Sequence, residues 1–341
     1  MKQALKIWVF IITIQVLVSC EHKNLCFTHP HTTYITIKFD WSYAPDAELN
    51  NEVESMCLWF YPTDENGNKT GEPIYYNIVG MHGGKIEIPV GYYEVLYYNS
   101  DYQRVQFRGT GDFLNHECYT KETGLLESLF SSPLAYNVPR AEGTEDQLVV
   151  DTPDKMWGDN AMNVHMTEQG ISYWFVRDGE TEITKISNKD NLFQLMPHEQ
   201  TCTYTVDVKN VENLKYATDV GASLSSMSGS VFCAEEKLAS HNVTLPIDVV
   251  SDRESTISGS LQTFGRNEFD QRHMLTVYAW MTDGKGYYGT VDVTEQVDNA
   301  PDRRHVHIVV DGFKLPKPIT NGGGLQPDVD EWESVDVDVE M

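Results

Sequence analysis

Hydrophobic and polar residues alternate with period two through most of the chain. In residues 34–41, Ile35, Ile37, Phe39 and Trp41 alternate with Thr36, Lys38 and Asp40, the pattern of a half-buried antiparallel strand. The same spacing recurs in Tyr204, Val206 and Val208, in Val243, Leu245 and Ile247, and in Val306, Ile308 and Val310, where His305 and His307 take polar positions. Residues 56–61 and 73–79 predict a strand pair around a turn over 63–71, signalled by Asn66-Gly67. Residues 85–99 predict two strands broken at Pro89-Val90-Gly91. Proline cannot donate to a ladder and glycine permits the bend, so this marks a corner. Hairpins are predicted for residues 171–176 with 181–186, around Asp178-Gly179, and for 275–281 with 287–291, around Asp283-Gly284-Lys285-Gly286. Residues 259–264 read as another strand, residues 222–232 are rich in small side chains, and only residues 124–130 read as a helix. Many short strands between turn signals predict an all-β protein built of β-sandwiches.

The two ends break this pattern. Residues 7–17 form an apolar run interrupted only by Thr13 and Gln15 and preceded by Lys2 and Lys6. That is the length of a signal-peptide core and short for a membrane span. The run ends in Leu17-Val18-Ser19-Cys20, which resembles the lipobox of bacterial lipoproteins. The resemblance implies cleavage between Ser19 and Cys20, and acylation of the Cys20 thiol and of the new amine. Three acyl chains exceed what stable anchoring requires. Residues 21–33 lack periodicity and read as a tether. At the other end, glycines 322–324 precede an acidic alternation in which Val329, Trp332, Val335, Val337 and Val339 recur. Valines between the acids suit an edge strand or a loose tail better than a calcium loop. The expected organisation is a leader over 1–19, a lipidated tether over 20–33, sandwiches over 34–160 and 161–320, and an acidic tail over 321–341.

Composition narrows the function classes. The chain of 341 residues is 40% hydrophobic and 11% aromatic, which marks a globular protein. Its net charge of −26 excludes a phosphate backbone as partner, so no nucleic acid is expected. The same charge disfavours lying flat on anionic lipid, leaving the acyl chains to hold the membrane. Six cysteines occur without repeating spacing, and lipidation of one leaves an odd number. They read mainly as small buried hydrophobes; the pair best placed for a bridge is Cys202–Cys233.

Catalytic motifs fail on their spacing. Residues 80–85 (GMHGGK) lack the P-loop pattern, His116-Glu117 and His198-Glu199 lack a second histidine for a zinc-protease helix, and no G-x-S-x-G elbow occurs. No enzyme and no cofactor are expected. His22, Cys26, His29 and His31 form the one Cys/His group with ligand types suited to zinc or copper. They lack any second shell readable from sequence, a polar tether with incidental histidines accounts for them, and no metal is expected.

A longer pattern runs through both halves. Leu261-Gln262-Thr263-Phe264-Gly265 is followed by residues 275–280, Asp283-Gly284-Lys285, residues 291–297 and residues 305–310; earlier come Ile88-Pro89-Val90-Gly91-Tyr92-Tyr93, Asn99 and Pro153-Asp154. With the lipobox, this order resembles the fimbrillin superfamily of anaerobic Gram-negative bacteria. It is most similar to the lipoprotein branch of fimbrillin-like pilus anchor and accessory subunits, many of them domains of unknown function. The resemblance implies two tandem transthyretin-like, Greek-key sandwiches. It also implies a non-catalytic, surface-exposed outer-membrane lipoprotein that binds fimbrial subunits by strand addition at an open sheet edge. The partner-binding positions would be Trp332, Val335, Val337 and Val339. One departure is that no Arg or Lys cleavage site stands out at the edge of the first domain. A surface glycan-binding lipoprotein, using its many Trp and Tyr, and a lipoprotein hydrolase remain the alternative readings.

Overall fold

A computed structural model describes residues 31–130, 138–176, 183–267, 271–318, 332–335 and 337. Cys20, His22, Cys26, His29, Val339 and the Asp178-Gly179 turn lie outside the described residues. The fold is all-β, as the alternation predicts.

Strand Thr32–Phe39 buries every second residue. It pairs antiparallel with Gly83–Pro89 and parallel with Leu192–Leu195. This small sheet covers a larger one whose order is Ile183–Asn188, Gly170–Val176, Trp157–Thr167, Gly91–Asn99, Ser55–Thr63, Ile74–Val79. Ile35, Ile37 and Phe39 from one layer meet Met56, Leu58, Phe60 and Val95 from the other in a closed core. The corner at Pro89-Val90-Gly91 carries the chain from the small sheet to the large one. Full burial of such side chains contributes about 1.5–3 kcal/mol each.

The second core lies within a nine-stranded mixed sheet. Strand Asn242–Ser251 joins its two layers, pairing through residues 242–247 with Ala217–Ser228 and through 248–251 with Ile257–Thr263. A strand shared in this way lets one sheet fold over itself. Tyr204, Val206, Leu224, Leu245, Val277 and Ile308 fill the space between the layers.

The division expected at 160/161 is corrected by the pairing. Trp157–Thr167 lies beside Gly91–Asn99, with Val95 opposite Ala161, and Leu192–Leu195 lies beside Thr32–Phe39. Residues 157–199 therefore complete the first core, and the change of core falls at about residue 200, before Cys202–Glu212. Periodicity marks a strand but not its partner.

Residues 100–155 bridge the two bodies. Helix Leu125–Phe130 packs on the outer face of Ala217–Ser228, and Leu148–Val149 pairs parallel with Asn242–Ser251. This explains the small residues over 222–232: that strand is covered on both faces, and a Cβ on Gly221 would lie 3.1 Å from the Leu129 side chain. Strands Gln106–Arg108, Glu117–Tyr119, Ser230–Phe232 and Lys237–Leu238 form a further small sheet that mixes segments of both bodies. Cys57, Cys118, Cys202 and Cys233 are buried and free, so the Cys202–Cys233 bridge does not form and the small-hydrophobe reading stands. Among the described residues, no helix is long and apolar enough to cross a membrane.

Candidate functional site

Three of the four expected partner-binding residues lie together. Trp332–Ser334 forms a short parallel strand on the outer edge of Gly286–Asp292, with Trp332 opposite Gly286 and Ser334 opposite Tyr288. The Val335 N–H donates to the Tyr288 carbonyl at 2.9 Å, and Val335 and Val337 pack against the second core. Two glycines floor this groove. A Cβ on Gly286 would come within 2.7 Å of the Trp332 ring, and one on Gly289 within 2.6 Å of Val337. The indole sits against Trp280 at 4.7 Å, Tyr278 at 5.6 Å and Phe130 at 6.2 Å between ring centroids. Its Nε1 is buried without an acceptor. Lys285 Nζ lies 2.6 Å from Glu333 Oε1 at the rim. Trp332, Val335 and Val337 hold this segment, while its three-residue ladder gains few bonds and the exposed Lys285–Glu333 pair adds little.

The junction between the bodies is built quite differently. Alternate residues of Ser55–Thr63 and Gly91–Asn99 point away from the first core, and these outer side chains are covered too. Cys57, Tyr61, Leu96 and Tyr98 pack with Cys118, Val231, Cys233 and Phe264 in a third apolar cluster. His116 is enclosed there, its Nδ1 2.5 Å from the Tyr61 hydroxyl and its Nε2 2.8 Å from that of Tyr98. Burial lowers its pKa to about 4, so it is neutral, with one nitrogen donating and one accepting. Arg108 grips Glu117 through two 2.6 Å hydrogen bonds, and the Ser230 hydroxyl donates to the same carboxylate. His116-Glu117 is thus a structural pair.

His198 sits beside this cluster. Its Nδ1 is 3.5 Å from Asp159 Oδ2 in the first body, and its Nε2 is 2.8 Å from Glu236 Oε1 in the second. Burial would lower the imidazole pKa, but the two carboxylates override it and raise it to about 10. Burial pushes Asp159 up. At Glu236 burial pulls the same way, yet His198, Gln200 and Arg304 overcome it and hold the carboxyl at about 2. Asp159, His198 and Glu236 are the one group with metal-ligand types and spacing among the described residues. A ligating imidazole must be neutral. Here the ring is a protonated bridge facing a carboxylate at each nitrogen, with the Arg304 guanidinium 3.4 Å from Glu236. As it stands here the group is an ionic latch, and a metal would first have to displace the imidazole proton.

The motif residues that carried the resemblance hold loops. Asn99 is buried; its Oδ1 accepts the Trp157 N–H at 2.9 Å and its Nδ2 donates to Asp101. Asp154 Oδ2 accepts the backbone N–H groups of Gln103, Arg104 and Val105 at 3.0, 2.6 and 3.1 Å. His31, the one described member of the Cys/His group, is exposed and lies 3.4 Å from Glu168. His305 and His307 are half-exposed on the polar face of their strand, beside Asp302 and Thr205. The latch escaped sequence reading because its members are far apart in the chain, and His198-Glu199 was tested only as a helix motif.

Comparison with known proteins places this architecture. A family model described as a domain of unknown function, DUF5119, matches residues 19–248. A Bacteroides ovatus protein provisionally named fimbrium anchoring subunit Fim4B is 22% identical, over 95% of this chain and 94% of that protein. A solved Bacteroides ovatus structure, provisionally described as an adhesin, superposes with TM-score 0.55 at 18% identity, covering 91% of this chain and 95% of its own. The fimbrial anchor protein Mfa2 of Porphyromonas gingivalis reaches TM-score 0.43 at 11% identity, covering 82% and 90%. The structural likenesses concern the fold. With the family model matching well over half of its length, the chain belongs to the DUF5119 family.

Proposed function

We propose that this chain is a non-catalytic, lipid-anchored protein of the outer-membrane surface that serves as anchor or accessory subunit of a fimbria. Cys20 carries the lipid, and the short polar segment that follows keeps the first sandwich close to the bilayer. A partner subunit is bound by strand exchange at the edge of Gly286–Asp292. The observation that carries this reading is the glycine-floored groove occupied by residues 332–335 and Val337 of the chain itself. A strand so short can leave its edge and pair elsewhere, and the vacated edge can accept a partner's strand through main-chain hydrogen bonds. The Bacteroides ovatus relative named as a fimbrium anchoring subunit, aligned along nearly its whole length, supports the same role.

The test removes residues 325–341. Mixed with a stalk subunit from the same genome and followed by size exclusion, the full and shortened chains are expected to differ in co-elution while both stay folded. No co-elution for either, with binding to a polysaccharide panel, would replace this reading by a glycan-binding one. The anchor is tested separately by Cys20→Ser, which is expected to move the protein from the detergent phase to the aqueous phase. Continued detergent partitioning would refute lipidation.

A further inference from the structure

A cavity of about 550 Å³ opens beside the latch, where the ends of strands from the second body meet the Lys237–Leu238 strand. Its walls reverse the charge of the molecule. On a chain with net charge −26, Lys237, Arg266, Arg303 and Arg304 line one cavity. The one carboxylate among the lining residues, Glu236, is already engaged by His198 and Gln200. A cationic recess in an anionic surface focuses the local field on an anion and raises its local concentration.

Two polar groups nearby lack partners. Arg266 pairs through NH1 with Asp298 at 2.9 Å, yet its Nε has no acceptor. The Tyr204 side chain is fully buried, its hydroxyl is unpartnered, and Cys202, Arg266 and Arg303 are among the groups acting on it electrostatically. Buried donors are normally satisfied, so such a pair calls for an explanation. The remaining walls are mixed. Phe264 and Leu238 give an apolar side, and the amides of Gln200 and Asn267 give neutral hydrogen-bonding groups.

We propose that this cavity binds an acidic saccharide, its carboxylate on the Arg266–Lys237 side and its ring against Phe264 and Leu238. Its volume falls within the range of pockets that enclose small organic ligands and far exceeds a single ion. An extended peptide is disfavoured because the walls are strand ends near Cys202, Thr263 and His305. Among the described residues, the free edges near it are the two-residue strand Lys237–Leu238 and the start of His305–Lys314, and neither lays a ladder across the cavity floor. Side-chain amides and guanidinium groups instead suit a ligand that presents a carboxylate and hydroxyls. This inference is independent of the fimbrial reading.

The test uses the purified full chain, titrated calorimetrically with a galacturonic acid oligomer, a neutral galactose oligomer of equal length and a glutamate peptide. Saturable binding of the uronate is expected, weakening as salt rises, with little heat from the other two. Lys237→Glu and Arg266→Gln are expected to weaken uronate binding about tenfold or more, the scale of one lost charged contact. Lys209→Glu, an exposed change elsewhere on the same body, is expected to leave it unchanged. Lys237 is exposed, so its variant carries the test even if Arg266→Gln unfolds. Equal binding of the neutral oligomer, preference for the peptide, an equal loss in Lys209→Glu, or no binding at all would each overturn the proposal.

Discussion

The junction of the two bodies and the tail strand are both contacts between distant segments, yet they differ in every physical respect. The junction buries Cys57, Leu96, Tyr98, Cys118 and Phe264 in one apolar cluster and closes its rim with the Asp159–His198–Glu236 latch. The tail lays three strand residues on one edge, anchored by Trp332 and the exposed Lys285–Glu333 pair. Removing a partner from the first leaves buried polar groups unpaired or a cavity, which is costly. Removing one from the second exposes groups that water can serve. A surface protein that must stay whole while one strand changes partner needs contacts of both kinds.

The largest effect is expected from Tyr98→Ala. The ring stacks on Phe107 at 4.8 Å between centroids, and its hydroxyl supports His116. Truncating a buried aromatic side chain costs about 3–5 kcal/mol, measurable by urea unfolding. A loss under about 1 kcal/mol, well below that range, would mean the bodies are joined loosely and the comparison fails.

Breaking the latch comes next. His198→Asn is expected to cost about 2 kcal/mol, below the range for a fully buried pair, because Glu236 is about a third exposed and Gln200 and Arg304 still serve it. The parent carries a pH signature. The folded His198 pKa is raised to about 10 from an unfolded value near 6.5. Its contribution is therefore complete below the unfolded value and is lost as pH rises through the folded one. Unfolding free energy followed from pH 6 to pH 10 should fall in the parent and stay flatter in the variant. Equal slopes would remove His198 from the junction's account.

The smallest effect should come from the tail. Trp332→Ala is expected to cost about 1–2 kcal/mol, below the value for a fully buried ring, since the indole is half-buried. Lys285→Ala should not change the melting temperature measurably. Both should accelerate amide exchange over residues 332–335 while the junction stays protected. If either variant destabilised the whole protein as much as Tyr98→Ala, the tail would be an integral part of the core.

Most of the strands were legible because a half-buried strand must alternate. Ile35, Ile37, Phe39, Tyr204, Val206 and Val277 lie in the two cores that the alternation anticipates. The tail's alternation left an edge strand or a loose tail open, and the structure forms a strand over Trp332–Ser334. Pairing was not legible. Trp157–Thr167 was not singled out by alternation, and its ladder with Gly91–Asn99 is what places it in the first body. The latch was invisible because Asp159, His198 and Glu236 carry no periodic signal and come from three separate stretches.

The sequence by itself determined the class of structure, since local alternation, turn residues and small-residue runs act over a few positions. Its composition determined the net charge and so the expectation that no nucleic acid is bound. Only the tertiary structure decided the rest. It set the change of core at about residue 200, buried the four described cysteines as free thiols, enclosed His116 between two tyrosines, and gathered four cations around one cavity. Each of these depends on which distant segments pack together, and that choice rests on the summed burial of many side chains rather than on any local signal.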